Sequence, residues 1–208
     1  MKKNLKLFTH NYIDNNNAKT FLLLHGSGGD ENEIMPLAMA VDSTYSVLSL
    51  RGNIKEHGMN RFFERYTDGS FNIKSIVSER EKLDIFLTSW LEAQNKTFED
   101  LILMGYSNGA NFGLSYIMRY SNKIKQALLL HPTLPYTENS VVNLDGVCIL
   151  VTTGKNDPYL IDSEKIELKE LLKGARAQFV FYQHEGGHEL VESEIKQSQE
   201  FLQKIPLL

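Results

Sequence analysis

The chain is nearly without cysteine: Cys148 is the only one in 208 residues. A lone thiol cannot close an internal disulfide, and inside the apolar run 147–151 it reads as packing. Long hydrophobic runs are also missing. No stretch approaches the roughly 20 apolar residues of a membrane span, and the two lysines after Met1 are followed by no apolar segment that could serve as a signal peptide. There is no excess of basic charge either. Lys and Arg number 22 against 26 Asp and Glu, for a net charge of −4, and no basic stripe is visible, which argues against nucleic acid as a partner. Internal repeats, low-complexity tracts and linkers are absent. The expectation is a single cytoplasmic domain over residues 1–208, with 42% apolar residues, enough to bury a full core.

Short apolar runs recur at 20–24, 45–50, 101–104, 127–130, 147–151 and 177–182. Most are near-continuous, as parallel strands covered on both faces should be. The run 45–50 alternates more and is expected nearer an edge, and 5–13 is a candidate extra strand at one side. Helical patterns fall between the runs. Ser78-Glu-Arg-Glu81 has the form of a capping box before Leu83, Phe86, Leu87, Trp90 and Leu91. Ser163 is a candidate cap for a helix ending at Gly174, and Val191, Ile195, Leu202 and Ile205 mark a last one. Asp30 to Glu33 reads as a helix start, with Pro36 leaving its register open. Strands alternating with helices imply an α/β fold: a mostly parallel sheet, helices on both faces, and functional loops at the carboxyl ends of the strands.

The chemistry concentrates in Leu101-Ile-Leu-Met-Gly-Tyr-Ser-Asn-Gly-Ala110. Strand, G-x-S-x-G and helix in succession form a nucleophile elbow, in which a strained turn holds a serine hydroxyl clear at the carboxyl end of a sheet. Gly105 and Gly109 lack Cβ atoms and allow helix and strand to approach closely. Ser107 is therefore the candidate nucleophile. A serine hydroxyl needs an adjacent base, itself oriented by a third group. His188 follows a strand across Gly186-Gly187 and is the candidate base, with His184 as the nearer rival. Asp157 follows the 147–151 strand and is preferred as orienting acid over Asp145, which precedes that strand, and Asp162, which begins the next helix. The chain order Ser107, Asp157, His188 is that of the α/β-hydrolase arrangement. The oxyanion donors are expected to be the backbone N–H of Asn108 and an N–H from His25-Gly-Ser-Gly-Gly, that of Ser27, while His25 itself reads as a loop-stabilising residue. Nucleotide binding by this Gly-rich loop is the competing use, although G-x-x-x-x-G-K-[ST] is absent.

His184-Glu185-Gly186-Gly187-His188 also matches H-E-x-x-H, the zinc-peptidase signature. That motif works on a helix, where both histidines share a face. Two adjacent glycines cost about 2 kcal/mol of helix propensity, so zinc is a minor alternative. A ligand-binding protein that keeps a hydrolase scaffold is another. The segment from Arg51 to Phe71 is long for a structureless connection. Its Met59, Phe62, Phe63, Tyr66 and Phe71 could wall a small apolar pocket or fold the loop onto the body, and Arg51, Arg61 and Arg65 are candidate carboxylate ligands.

With these features in view, the chain resembles the phospholipase/carboxylesterase family of α/β-hydrolases, relatives of the acyl-protein thioesterases. The resemblance spans 22–202. Within that family the sequence is most similar to bacterial hydrolases induced by hydroquinone and quinone stress, through Arg51-Gly-Asn53, Gly58-Met59, Arg61-Phe-Phe63, Gly105-Tyr-Ser-Asn-Gly-Ala-Asn111 and His131-Pro132. The resemblance implies Ser107, Asp157 and His188 as a triad, with the amides of Ser27 and Asn108 as oxyanion donors. It implies a compact fold without a large lid, no cofactor, and a small-molecule acyl ester or thioester substrate. Met59, Phe62, Phe63 and His131 are the residues expected at the substrate pocket.

Overall fold

The computed structural model describes residues 4–133 and 142–204. In chain order its elements are β1 (His10–Ile13), β2 (Thr20–Leu24), α1 (Met35–Val41), β3 (Ser46–Leu50), β4 (Ile54–Glu56) and β5 (Met59–Arg61). They continue with α2 (Ile73–Gln94), β6 (Leu101–Tyr106), α3 (Asn108–Arg119), β7 (Gln126–Leu130), β8 (Cys148–Gly154), α4 (Asp162–Gly174), β9 (Gln178–His184) and α5 (Glu192–Lys204). Seven strands form one sheet in the order β1-β3-β2-β6-β7-β8-β9, parallel except for β1. This is the α/β-hydrolase arrangement, and no large lid is present among the described residues.

The apolar runs are near-continuous because both sheet faces are covered. Leu22, Leu24, Leu103, Leu129 and Val151 pack with Phe86 and Leu87 of α2, Phe112 of α3 and Leu168 of α4. The alternate residues Phe21, Leu23, Met104, Leu128 and Leu150 pack with Ala38 of α1 and Phe201 of α5. β3 lies one strand in from the edge, since β1 pairs along it from His10↔Leu50 to Ile13↔Val47, and all five of its residues are buried. The other edge is β9, whose run had read as near-continuous. It is partly open to solvent, with Val180 46% exposed. No helix among the described residues is long and apolar enough to cross a membrane.

Helix starts depart from the sequence patterns where a competing cap lies upstream. α2 begins at Ile73, not near Ser78, because the Asn72 side chain accepts a hydrogen bond from the Ser75 amide at 3.2 Å; a cap of this kind satisfies a first-turn donor. The expected stripe Leu83, Phe86, Leu87, Trp90 and Leu91 is buried. In α1, Pro36 falls within the first turn, where its missing N–H costs nothing. The inward face of α5 is Glu194, Ser198 and Phe201, with Ile195 and Leu202 flanking it; Ile205 lies outside the described residues. The 51–71 segment is not structureless: β4 and β5 form an antiparallel hairpin, and Arg65 bridges to Phe71.

Candidate active site

The site is built from loops at the carboxyl ends of β2, β6, β8 and β9. Ser107 sits at the turn between β6 and α3 with φ 51° and ψ −113°, a backbone conformation L-residues rarely adopt. The flanking glycines leave room for it. A Cβ on Gly109 would lie 2.0 Å from the carbonyl oxygen of Leu24, and one on Gly105 would lie 2.7 Å from the backbone of Gly109. With hydrogen there, the first turn of α3 sits directly against β2 and β6.

His188 Nε2 lies 2.8 Å from Ser107 Oγ, and His188 Nδ1 lies 2.8 Å from Asp157 Oδ2. The loop carrying His188 is fixed from two sides. The Tyr106 hydroxyl donates to the His188 carbonyl at 2.8 Å, and the Tyr159 ring meets the imidazole edge-to-face at 4.7 Å. Asp157 is 5% exposed. Burial alone favours its neutral form, but hydrogen bonds from His131, from His188 and from the Tyr159 amide outweigh it and hold the carboxyl below its ordinary range. A proton on Ser107 Oγ thus faces a ring nitrogen whose partner nitrogen is tied to a carboxylate, the geometry required for general-base activation of a hydroxyl.

The loop after β2 borders the same space as Ser107. Gly28 donates to the Asn60 carbonyl at 2.9 Å and Gly29 to the Gly26 carbonyl at 3.2 Å, and Ser27, between Gly26 and Gly28, lines the cavity. Asn108 is the first residue of α3, where amides have no intrahelical acceptor. Its side-chain oxygen accepts from the Phe62 amide at 2.8 Å, tying the end of the hairpin to the elbow. Fully buried His25 braces the loop: Nδ1–H donates to the Gly26 carbonyl at 2.6 Å, and Nε2 accepts from the Gly52 amide at 3.0 Å. Burial holds its pKa down, which matches this neutral tautomer.

Ser27, Met59, Ser107, Asn108 and His188 all line one cavity of about 630 Å³. Phe62, Phe63 and His131, expected at the pocket, are not among its lining residues; each is fully buried. The hairpin turns Phe62 inward to stack on Phe112 at 5.2 Å, and Phe63 meets Phe71 at 5.0 Å. Phe71 reaches the cavity, as do Tyr106 and Tyr159. Of the candidate carboxylate ligands, Arg51 is held by Glu31 at 2.5 and 2.7 Å. Arg61 and Arg65 line the cavity and share Glu56 at 3.2 and 3.1 Å.

The H-E-x-x-H segment is not helical. His184 closes β9, exposed Glu185 pairs with Lys155 at 3.1 Å, and the two histidines turn to different partners. Ligand atoms of His131, His184 and Glu194, and those of His131, Asp157 and His188, fall within 4.8 Å of one another. In the first group, however, His184 Nδ1 accepts from the Gly186 amide at 3.0 Å. That bond occupies its Nδ1, and its Nε2 is turned to His131 Nε2 at 3.4 Å. Sequence reasoning missed Glu194, which enters the site's support from α5. It lies in the first turn of α5 on a face shared with Ser198 and Phe201, and nothing local marks its partner.

A model of the dienelactone hydrolase family matches residues 63–199. MhqD of Bacillus subtilis is 33% identical over 192 residues, covering 92% of this chain and 96% of that protein. Among solved structures, a carboxylesterase of Bacillus cereus superposes with a TM-score of 0.91 at 35% identity, covering 96% of this chain and 95% of its own. A carboxylesterase of Mesorhizobium loti superposes with a TM-score of 0.90 at 25% identity, covering 96% of each chain.

Proposed function

The chain belongs to the dienelactone hydrolase family and is a hydrolase, and from that premise we propose that it is a serine carboxylesterase cleaving small or medium acyl esters, with thioesters open to the same chemistry. The observation that carries the reading is the unbroken hydrogen-bonded line from Ser107 Oγ through His188 to Asp157, with 2.8 Å at each step. In the first half-reaction Ser107 Oγ attacks the acyl carbonyl while His188 Nε2 takes its proton. The Ser27 and Asn108 amides receive the developing oxyanion. Collapse of the tetrahedral species expels the leaving alcohol or thiol, which His188 protonates, and Ser107 is left acylated. Water, activated by the same imidazole, releases the acid and restores the hydroxyl. Every step is acid–base and nucleophilic chemistry of groups on this chain and of water, so the proposal calls for no cofactor. A cavity of about 630 Å³ is of a size suited to small ligands.

Hydrolysis of p-nitrophenyl acetate and butyrate by the wild type and by Ser107→Ala tests the assignment. The expected loss is about 10³-fold or more, together with loss of covalent labelling by a fluorophosphonate. Full activity in the variant refutes Ser107 as nucleophile, and an unlabelled wild type favours a binding protein on the same scaffold.

A further inference from the structure

His131, at the end of β7, has no solvent exposure and lies between two carboxylates. Its Nδ1 is 2.8 Å from Asp157 Oδ2, and its Nε2 is 3.0 Å from Glu194 Oε1. An ionised carboxylate only accepts hydrogen bonds, so both ring nitrogens carry hydrogen if both acids are ionised. The remaining contacts favour ionised acids. Asp157 also accepts from His188 Nδ1 and from the Tyr159 amide. Glu194 also accepts from the Val191 amide at 2.8 Å and from the Thr152 hydroxyl. His184 Nε2 faces His131 Nε2 at 3.4 Å, farther off than Glu194 Oε1 at 3.0 Å. Tyr106, whose ring lies edge-on at 5.9 Å, completes the surroundings of His131 together with His188, at 5.1 Å between ring centres. Burial disfavours charge at all three groups, yet the mutual contacts hold His131 above its ordinary pKa and Asp157 and Glu194 below theirs. The His131 backbone is also held at φ 53°, in the left-handed region that few residues other than glycine adopt.

We propose that His131 is a positioning residue: a buried imidazolium, neutralised by Glu194, that clamps the Asp157 carboxylate and opposes protonation of His188. The inference rests on the Ser107–His188–Asp157 reading and extends it to α5. Its consequence is chemical. His188 becomes a cation when it takes the serine proton, and it works as a base only while neutral beforehand. A fixed positive charge on the far side of Asp157 discourages premature protonation and extends activity toward acid. Glu194 keeps that charge in place inside the protein.

The test is the double variant His131→Gln/Glu194→Gln, which removes both charges while leaving an amide able to donate to Asp157. The readout is the rate of Ser107 labelling by a fluorophosphonate as a function of pH, which requires no knowledge of the substrate. The acid limb is expected to move up by roughly one to two pH units, the range left at an effective dielectric near 20 once Glu194 offsets part of a charge. The plateau rate should fall about 10-fold or more through loosening of Asp157. A folded double variant whose limb and plateau match the wild type overturns the proposal, since loss of a packing role alone would leave the limb in place. Independently of variants, the ring ¹⁵N–¹H resonances of His131 in unreacted Ser107→Ala protein should show both N–H groups at pH 8, and a single N–H overturns the imidazolium. This measurement separates the two readings. A neutral ring leaves the serine hydrolase standing, whereas a protein that never labels removes the hydrolase without touching the imidazolium.

Discussion

Replacing Gly109 with alanine adds one methyl group, and the structure says where it must go. The new Cβ would lie 2.0 Å from the Leu24 carbonyl oxygen, 2.5 Å from its carbon and 2.6 Å from the His25 oxygen. All three are backbone atoms of β2 and the loop after it, and no rotamer change can clear them. Real contacts of this kind stay beyond about 3 Å, so the first turn of α3 must retreat from β2 by about 1 Å. Overpacking of this sort costs about 1–3 kcal/mol, which for a chain of this size lowers Tm by about 2–12 °C. The catalytic cost should be larger. The same turn carries the Asn108 amide, and losing one oxyanion donor or misplacing a reacting group by an ångström costs on the order of 10²–10³ in kcat. Gly174→Ala is the matched control, because a Cβ at the end of α4 meets nothing within 4 Å. Thermal unfolding and p-nitrophenyl butyrate kinetics on both variants test this. If Gly109→Ala keeps wild-type Tm and kcat, the close approach of α3 to β2 is not what holds the elbow in shape.

Two further outcomes follow from the polar contacts around the site. Tyr106→Phe removes the 2.8 Å hydrogen bond to the His188 carbonyl but keeps the ring in place; a bond of this kind contributes about 0.5–1.5 kcal/mol, so kcat should fall about 2- to 10-fold with KM nearly constant. A change confined to KM would remove the positioning role given to Tyr106. Stability should also depend on pH through the buried cluster. Asp157 and Glu194 have depressed pKa values, so their stabilisation is present above their unfolded values and is lost as pH falls through the folded ones. His131 is raised, so its share is complete below about 6.5 and is lost as pH rises through its folded value. Urea unfolding of Glu194→Gln against wild type should therefore show a deficit at pH 6 that closes only below the ordinary carboxylate range, where Glu194 of the wild type is itself protonated. A deficit that stays constant down to pH 3 contradicts an ionised Glu194.

Periodicity and chain order were enough to read the sheet, the helical stripe of α2 and the residues that meet at Ser107. A sheet covered on both faces writes itself as near-continuous apolar runs, and G-x-S-x-G records a packing constraint as well as a nucleophile. What escaped the sequence was set by contacts distant along the chain. Ser78 looked like a cap, but Asn72 reaches the Ser75 amide first and starts α2 a turn and a half earlier. Phe62 and Phe63 looked like pocket walls because aromatics in a long loop carry no mark of direction. Only the hairpin pairing of β4 with β5 turns them into the core. Arg51 carries no local sign that Glu31 will take it.

His131 and Glu194 show the same limit at the level of chemistry. Read locally, His131-Pro132 is a strand end and Glu194 an acid in a polar helix start, and neither pattern announces a charge pair. The fold brings them together because β7, β8 and β9 are adjacent and α5 packs across their second face, with Phe201 anchored in the core there. A helix with Ser198 and Phe201 turned inward places Glu194, one turn earlier, against the ends of these strands. Breaking a buried ion pair by removing one partner costs more than the pair itself contributes, because the remaining charge has no water to return to. Asp157 is thus bound on one oxygen to a histidine that faces the cavity and to another that the core encloses. The orientation of the acid then depends on the seating of the last helix as much as on its own loop, and the chemistry at Ser107 is coupled to packing on the opposite face of the sheet from α2 and α3.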